Sequence, residues 1–500
     1  MKVLKSFTMR EGTPHAILAL LALAIPAGLF TGCGAALIAP TGSTNVMVLM
    51  TSTANDKLGD FGVGIASVTL TGTAGNSVVL YNNPNTAGIS PTGPGEWMHL
   101  NGVSEPLVTV SVPQGTYISA IVKAGGCGIS VVQVSTTGGL GEYIYAQEPC
   151  PLSAGNTTVN LPSPITISGP AMVLSLNLQI PQSYTLTASG TSAPASYAIS
   201  PVFTLTQVAI SSPPTNEQNG KIGPILSQIT SVNSDGNSFV AQTADLVSIN
   251  VSSDDSTIYQ GIAGFSSLAV GMLVDVDLAI QPDASLLATR VEVPDAASPT
   301  VFSGPVFEGP NAPEAGQFRI WPIQQEEGCN DLSIPLCGIQ FQFNTNIVFG
   351  ISGQFSNLQD LPFAASFGSS SLFLGQNVLV FSPGIPGAQA YEGVTTLTLV
   401  PQTINGTVTA VSNSNGFTVY TVALAPYDMI PTGQQATLNW WSPNKLNNPA
   451  TVIVHADANT QLLNSTPINP GSVLRFTGLI FDDNGTLRMD CGQILDGVPE

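Results

Sequence analysis

Positive charge is what this chain has least of. Its 500 residues hold 11 Lys and Arg against 31 Asp and Glu, and charged residues of both signs make up only 8%, where an average globular protein has roughly 25%. A surface so poor in cations cannot neutralise phosphates, so the counterion release that drives nucleic-acid binding is missing and no nucleic-acid partner is expected. Histidine is scarcer still, three in all, which leaves little material for imidazole general-base chemistry, and no Gly-x-Ser-x-Gly elbow precedes a helix. The chain contains no CxxC, which argues against a zinc site. Asp254-Asp255 and Asp482-Asp483 lack the spaced D-x-[DN]-x-[DN]-G ligands of a calcium loop. Neither a metal nor a cofactor is expected. The apolar stretch AILALLALAIPAGLF at residues 16–30 is shorter than the about 20 residues that a bilayer-spanning helix needs.

What is present is turn chemistry and short apolar runs. Fifty Gly and 38 Pro punctuate a sequence that is 43% hydrophobic, and runs rich in Val, Ile, Leu, Phe and Thr between such punctuation predict many short strands. The expected class is all-β: an N-terminal β-sandwich followed by three small OB-like or SH3-like β-barrel repeats. Val108-Thr-Val110-Ser-Val112 and Leu174-Ser-Leu176-Asn-Leu178-Gln-Ile180 alternate strictly, so residues 44–210 read as a sandwich whose strands have one apolar and one wet face. A Ser/Pro/Asn-rich linker is expected at 211–219. Beyond it the sequence repeats itself. Leu268-Ala-Val-Gly271-Met-Leu-Val274 recurs divergently as Leu372-Phe-Leu-Gly375-Gln-Asn-Val378 and as Ile468-Asn-Pro-Gly471-Ser-Val-Leu474. Asp-Gly or Asn-Gly hairpin signals accompany the first and last copies, at Gly236 and Gly416. Barrels are therefore expected at 220–297, 298–400 and 401–500, strung like beads, with the repeated Gly in a tight turn that needs positive φ.

Two further patterns carry family resemblances. Lys2, Lys5 and Arg10 precede the apolar run, and Gly32 stands directly before Cys33; the pattern resembles the lipobox of bacterial lipoproteins. That resemblance implies cleavage of residues 1–32, acylation of Cys33, a tether at 33–43 and an N-terminal lipid anchor in a membrane. Gly34 resembles the sorting preference for the outer membrane; plain secretion is the alternative. The mature chain would carry eight Lys and Arg against 30 Asp and Glu, a formal charge of −22. The turn Pro113-Gln-Gly115-Thr-Tyr117 resembles that of transthyretin-like and carboxypeptidase-regulatory-like sandwiches. The repeats resemble a small domain of unknown function found in bacterial envelope lipoproteins.

Export to an oxidising compartment makes disulfides the default, and Cys127/Cys150 and Cys329/Cys337 are the expected local pairs, leaving Cys491 unpaired. Connectivity does not follow from sequence, and other pairings stay open. Glu326-Glu327 and Asp482-Asp483 read as solvated turn charges, and Ser442-Pro-Asn-Lys445 lacks the helix start that an S-x-x-K nucleophile needs. Asn439-Trp440-Trp441 is the best ligand platform, because adjacent strand residues face opposite ways and one Trp is left to stack on a sugar ring. Trp97 with His99 is a weaker version. The expected role is a non-catalytic envelope lipoprotein, structural, adhesive or ligand-presenting, with polysaccharide or another envelope protein as partner. Carbohydrate binding through Trp440/Trp441 is the alternative. An extracellular polymer-degrading enzyme would need a cleft with paired carboxylates between domains.

Overall fold

Strands begin at Ser43. β1 (Ser43–Thr53), β2 (Leu58–Gly72), β3 (Ser77–Asn82), β4 (Ser104–Pro113), β5 (Gly115–Val131) and β6 (Ile144–Ala146) open the first module. The short β7 (Asn156–Val159) and β8 (Ile165–Ile167) lead to β9 (Ala171–Gln179), β10 (Tyr184–Thr187), β11 (Ser196–Ile199) and β12 (Phe203–Val208). The computed structural model describes residues 42–54, 58–83, 95–131, 144–146, 156–187, 196–295, 300–308, 317–320, 324–325, 339–342, 346–352, 358–373, 375–382, 392–424 and 451–498. All of them belong to one unit, Pro40–Glu500. Among them no helix is long and apolar enough to cross a membrane.

The order β12-β9-β1-β4 makes one sheet and β3-β2-β5-β6 the other, with β7 and β8 also paired to β5. Their facing sides share a core containing Val46, Val48, Phe61, Val63, Trp97 and Phe203, which is the expected sandwich. The Pro113–Tyr117 turn is held by the buried Tyr117, whose hydroxyl donates to the Pro113 carbonyl at 2.8 Å. The expected wet face is corrected at β1, where Val46 to Met50 are all buried. Val46, Val48 and Met50 point into the sandwich, whereas Met47 and Leu49 join Val173 in the core of the next module.

That module comprises β13 (Lys221–Asn233), β14 (Ser238–Thr243), β15 (Ser248–Ser252), β16 (Ile258–Gln260), β17 (Leu273–Ile280) and β18 (Leu286–Glu292). The next is β19 (Thr300–Glu308), β20 (Gln317–Ile320), β21 (Gln324–Gln325), β22 (Ile339–Gln342), β23 (Val348–Ile351), β24 (Asn377–Ser382), β25 (Glu392–Gly393) and β26 (Thr396–Leu399). The last is β27 (Gln402–Ser414), β28 (Phe417–Leu424), β29 (Thr451–Leu462), β30 (Val473–Asp483) and β31 (Thr486–Asp496). It closes as β27-β28-β29-β31-β30, with β29 and β31 parallel and the other pairs antiparallel. A five-stranded Greek-key barrel of this kind is the OB-like member of the two expected types. The first repeat has the same circuit, closed by the parallel pair β15 and β18. In the second repeat the parallel closure is split into two short pairs, β22 with β25 and β23 with β26.

The repeated glycine does the same job three times. Gly271, Gly375 and Gly471 have φ of 90°, 80° and 97°, and their N–H groups donate to Ile229, Val306 and Val408 on the first strand of each barrel at 2.7–2.8 Å. Positive φ at this point, as the sequence predicts, lets the chain turn into β17, β24 and β30. A Cβ added at Gly271 or Gly471 meets nothing within 4 Å, so only backbone strain opposes a side chain. Gly271→Ala and Gly471→Ala should each lower stability by about 1 kcal/mol, equally within error in urea denaturation.

Each barrel has its own core, yet they are not beads on a string. Leu226 and Leu273 of the first repeat pack with Val301, Leu379 and Phe381 of the second. Leu399 of the second packs with Leu479 and Phe481 of the third. The expected linker is a fitted piece: Asn216 caps a short 3-10 turn, Glu217–Asn219, whose Glu217 N–H donates to Gln461 of the third repeat at 3.3 Å.

Candidate functional site

Where the sandwich and the three barrels converge, they enclose a cleft of ≈ 200 Å³. Its walls carry His99, Asn101 and Glu105 from the sandwich, Glu217 from the joining segment, Lys221 from β13, Asp275 and Asp277 from β17, Asn377 from the second repeat, and Thr403 and Gln493 from the third. β17 explains the polar wall. Val274, Val276 and Leu278 enter the barrel core, so Asp275 and Asp277, alternating with them, face outward into the cleft.

Arg290, their neighbour on β18, organises this wall. Its Nε donates to Asp277 Oδ2 at 2.8 Å, its Nη2 lies 3.6 Å from Asp275, and its Nη1 pairs with Glu292. Burial pushes the Asp275 carboxyl up to about 7, against the opposing pull of Arg290 and with Asp277 and Glu292 adding to the rise. Burial likewise raises Glu217 well above the usual carboxylate range, reinforced by Asp277 and opposed by Lys221. On the opposite wall Arg475 Nη1 donates to Asn101 Oδ1 at 2.7 Å, and Thr403 Oγ1 donates to the Asn101 carbonyl at 3.0 Å, which ties the third barrel to the sandwich. Glu217 Oε2, Asp275 Oδ1 and Gln493 Nε2 are buried with no hydrogen-bond partner. Glu217 and Asp275 each present an unpartnered carboxyl oxygen and Gln493 an unpartnered amide nitrogen, a set that suits a polar ligand. No Trp, Tyr or Phe is among the described lining residues, so ring stacking is not how these walls would bind.

A second cluster borders the cleft. His99 Nδ1 lies 2.7 Å from Glu96 Oε2, while Nε2 lies 3.6 Å from Glu105 Oε1 and 3.9 Å from Asp245 Oδ2. Glu96 is itself fixed by the N–H groups of Met98 at 2.7 Å and His99 at 3.1 Å. Asp245, in the turn between β14 and β15, accepts the Gly95 N–H through Oδ1 at 3.2 Å. Burial alone would lower the His99 pKa, but the Glu105 and Glu96 carboxylates overcome it and hold the imidazole well above its usual value. Asp245 is pushed up to about 7 by burial, opposed by His99 and reinforced by Glu105. These three donors are the described residues that could hold a metal.

Of the residues singled out in the sequence, His99 lines the cleft. Cys33, Cys150, Cys329, Cys337, Asn439, Trp440 and Trp441 lie outside the described residues, as do Glu326-Glu327 and the Ser442–Lys445 segment. Cys127 is half-buried on β5 and is engaged. Cys491 is free and buried in the third barrel, as expected of the unpaired thiol. Trp97 is corrected as a ligand platform: it is fully buried, its Nε1 donates to the Val63 carbonyl at 2.9 Å, and its ring meets Phe203 edge-on at 5.7 Å. Asp254 holds its own turn by accepting from the Ser256 N–H and hydroxyl at 2.8 and 2.6 Å. Asp482 accepts from the Gly485 N–H, and Asp483 pairs with Arg488, both at 2.6 Å. Glu217, Asp275, Asp277, Arg290, Glu105 and Asp245 carry no motif in the sequence that marks them. The one local signal was the alternating Val274-Asp-Val276-Asp, which shows two carboxylates on one strand face.

Residues 228–292, from β13 to the end of β18, match a family described as a domain of unknown function, DUF5666. No curated protein matches the chain. The match covers the strands of the first barrel, whose closed circuit the third repeats.

Proposed function

We propose that this is a non-catalytic, lipid-anchored protein of the bacterial outer membrane, whose four β modules form one stiff body that presents a ligand-binding cleft. The carrying observation is the convergence of all four modules on that cleft, with apolar cores and the Arg475–Asn101 bond crossing between modules. The address rests on the basic residues, apolar run and Gly32-Cys33 pair. The Pro113–Tyr117 turn supports a transthyretin-like origin for the sandwich, and an exported chain would pair Cys127 with Cys150 and Cys329 with Cys337. An extracellular polymer-degrading enzyme is the weaker reading, because Asp275 and Asp277 are both tied to Arg290.

Metabolic labelling with radioactive palmitate in a bacterial host tests the anchor. The wild-type chain should carry label and sediment with outer membranes, whereas Cys33→Ser should carry none and leave the membrane fraction. Unlabelled wild-type protein in the medium would mean plain secretion and overturn the anchor. A glycan array probed with the detergent-solubilised chain addresses the ligand: binding lost in a folded Trp440→Ala, Trp441→Ala variant would place sugar recognition on that segment and take it away from the cleft.

A further inference from the structure

We propose that His99, Glu105 and Asp245 form a site for a divalent transition-metal ion, with zinc as its probe, and that the ion clasps the sandwich to the first barrel. His99 and Glu105 belong to the sandwich and Asp245 to the first barrel, so a single ion bound by all three would join two modules. Their donor atoms lie within 4.8 Å of one another. Zinc ligands at about 2.0–2.2 Å in tetrahedral geometry stand roughly 3.4 Å apart. The 3.6 and 3.9 Å separations from His99 Nε2 therefore need to close by only a few tenths of an ångström.

The orientation of each group points the same way. With the Nδ1 hydrogen given to Glu96, Nε2 faces Glu105 and Asp245, and a metal bound there would take the place of the Nε2 proton. A carboxylate behind the ligating imidazole is the usual support of a metal-bound histidine. Asp245 spends Oδ1 on the Gly95 N–H and aims Oδ2 at the same point. His99 Nε2 and Asp245 Oδ2 are both buried without a hydrogen-bond partner, since 3.6 and 3.9 Å are too long for one. The His99 side chain is 7% exposed and that of Asp245 11%, and the two unpartnered atoms are themselves buried from bulk water. One imidazole nitrogen with two carboxylates suits zinc or manganese better than calcium or magnesium, which favour all-oxygen sets. The rival is a metal-free cluster in which the same groups share a proton.

The full mature chain, purified in detergent and stripped with chelator, should rebind about one equivalent of zinc by elemental analysis. Zinc should raise its Tm by roughly 3–6 °C, and chelator should reverse the shift. Asp245→Asn keeps the Gly95 contact but removes a ligand charge, so it should abolish the zinc-dependent shift. Glu96→Gln weakens the support behind the imidazole and should reduce affinity by about 10–100-fold, which provides a second reading should Asp245→Asn fold poorly. No zinc uptake together with a Tm indifferent to zinc and chelator would leave the proton-sharing cluster and overturn the site. Zinc binding unchanged in both variants would place the ion elsewhere and overturn it equally.

Discussion

Arg290→Met should lower stability by about 3–5 kcal/mol at pH 7, the usual consequence of removing one partner from a buried ion pair. The Arg290 side chain is only 6% exposed and faces Asp275, Asp277 and Glu292, so methionine fills the stem's volume but leaves three carboxylates without their cation. The loss should also depend on pH. Asp275 holds its proton up to about pH 7 in the fold but only to about 3.9 in an unfolded chain. Its raised value contributes stability that is fully present below about pH 4 and is lost as pH rises through 7. Without Arg290 the pull that opposes the rise is gone from both Asp275 and Glu292, so both hold their protons to higher pH. The variant should therefore recover part of its deficit between pH 7 and pH 5, as urea denaturation at both values would show. A deficit equal at both would mean that Arg290 acts through packing alone.

Trp97→Ala should cost a similar amount, about 3–5 kcal/mol, from lost burial and the cavity left behind. The indole is enclosed by the sandwich core, and its backbone is part of the same frame: the Trp97 carbonyl accepts from Ser52 Oγ at 2.6 Å, and its N–H donates to Phe61 at 3.0 Å. Trp97 also leads the turn that carries His99 and Asn101. Loosening it should raise hydrogen exchange at the Asn101 contact with the third barrel as well as within the sandwich. Trp97→Phe should restore most of the packing but not the bond to the Val63 carbonyl, and so fall between the two in denaturation midpoint.

The parts of this molecule that could be read in advance are those fixed by neighbours in sequence. Period-two alternation placed β4 and β9, and Asn415-Gly416, with positive φ at both residues, makes the hairpin turn that its letters predict. Gly271, Gly375 and Gly471 revealed the threefold repeat because one turn geometry imposes one residue. The outer face of β1 was not legible. Met47 and Leu49 look like an ordinary strand, and only the arrival of the first barrel turns their side of the sheet into a core. Trp97 is misread for a related reason, since nothing beside it in sequence shows that the indole packs into the sandwich core. Neither site could be found by spacing. Asp275 and Asp277 are visible as a strand face, but the cleft they line exists only because other modules close over it, and Asp245 reaches His99 and Glu105 across a module boundary.

The position of β1 bears on how the chain meets mechanical load. It pairs with β4 from Ser43 to Thr51 and with β9 from Asn45 to Thr53, and apolar residues cover it on both sides. A pull applied ahead of Ser43 and opposed from the far end of the strand would act along the axis of a central strand, so the hydrogen bonds on its two flanks would be sheared together instead of unzipped one by one. Forced unfolding is governed by the barrier to that first rupture. A body held from this end would resist extraction in proportion to the whole length of β1, and would keep its cleft assembled while under tension.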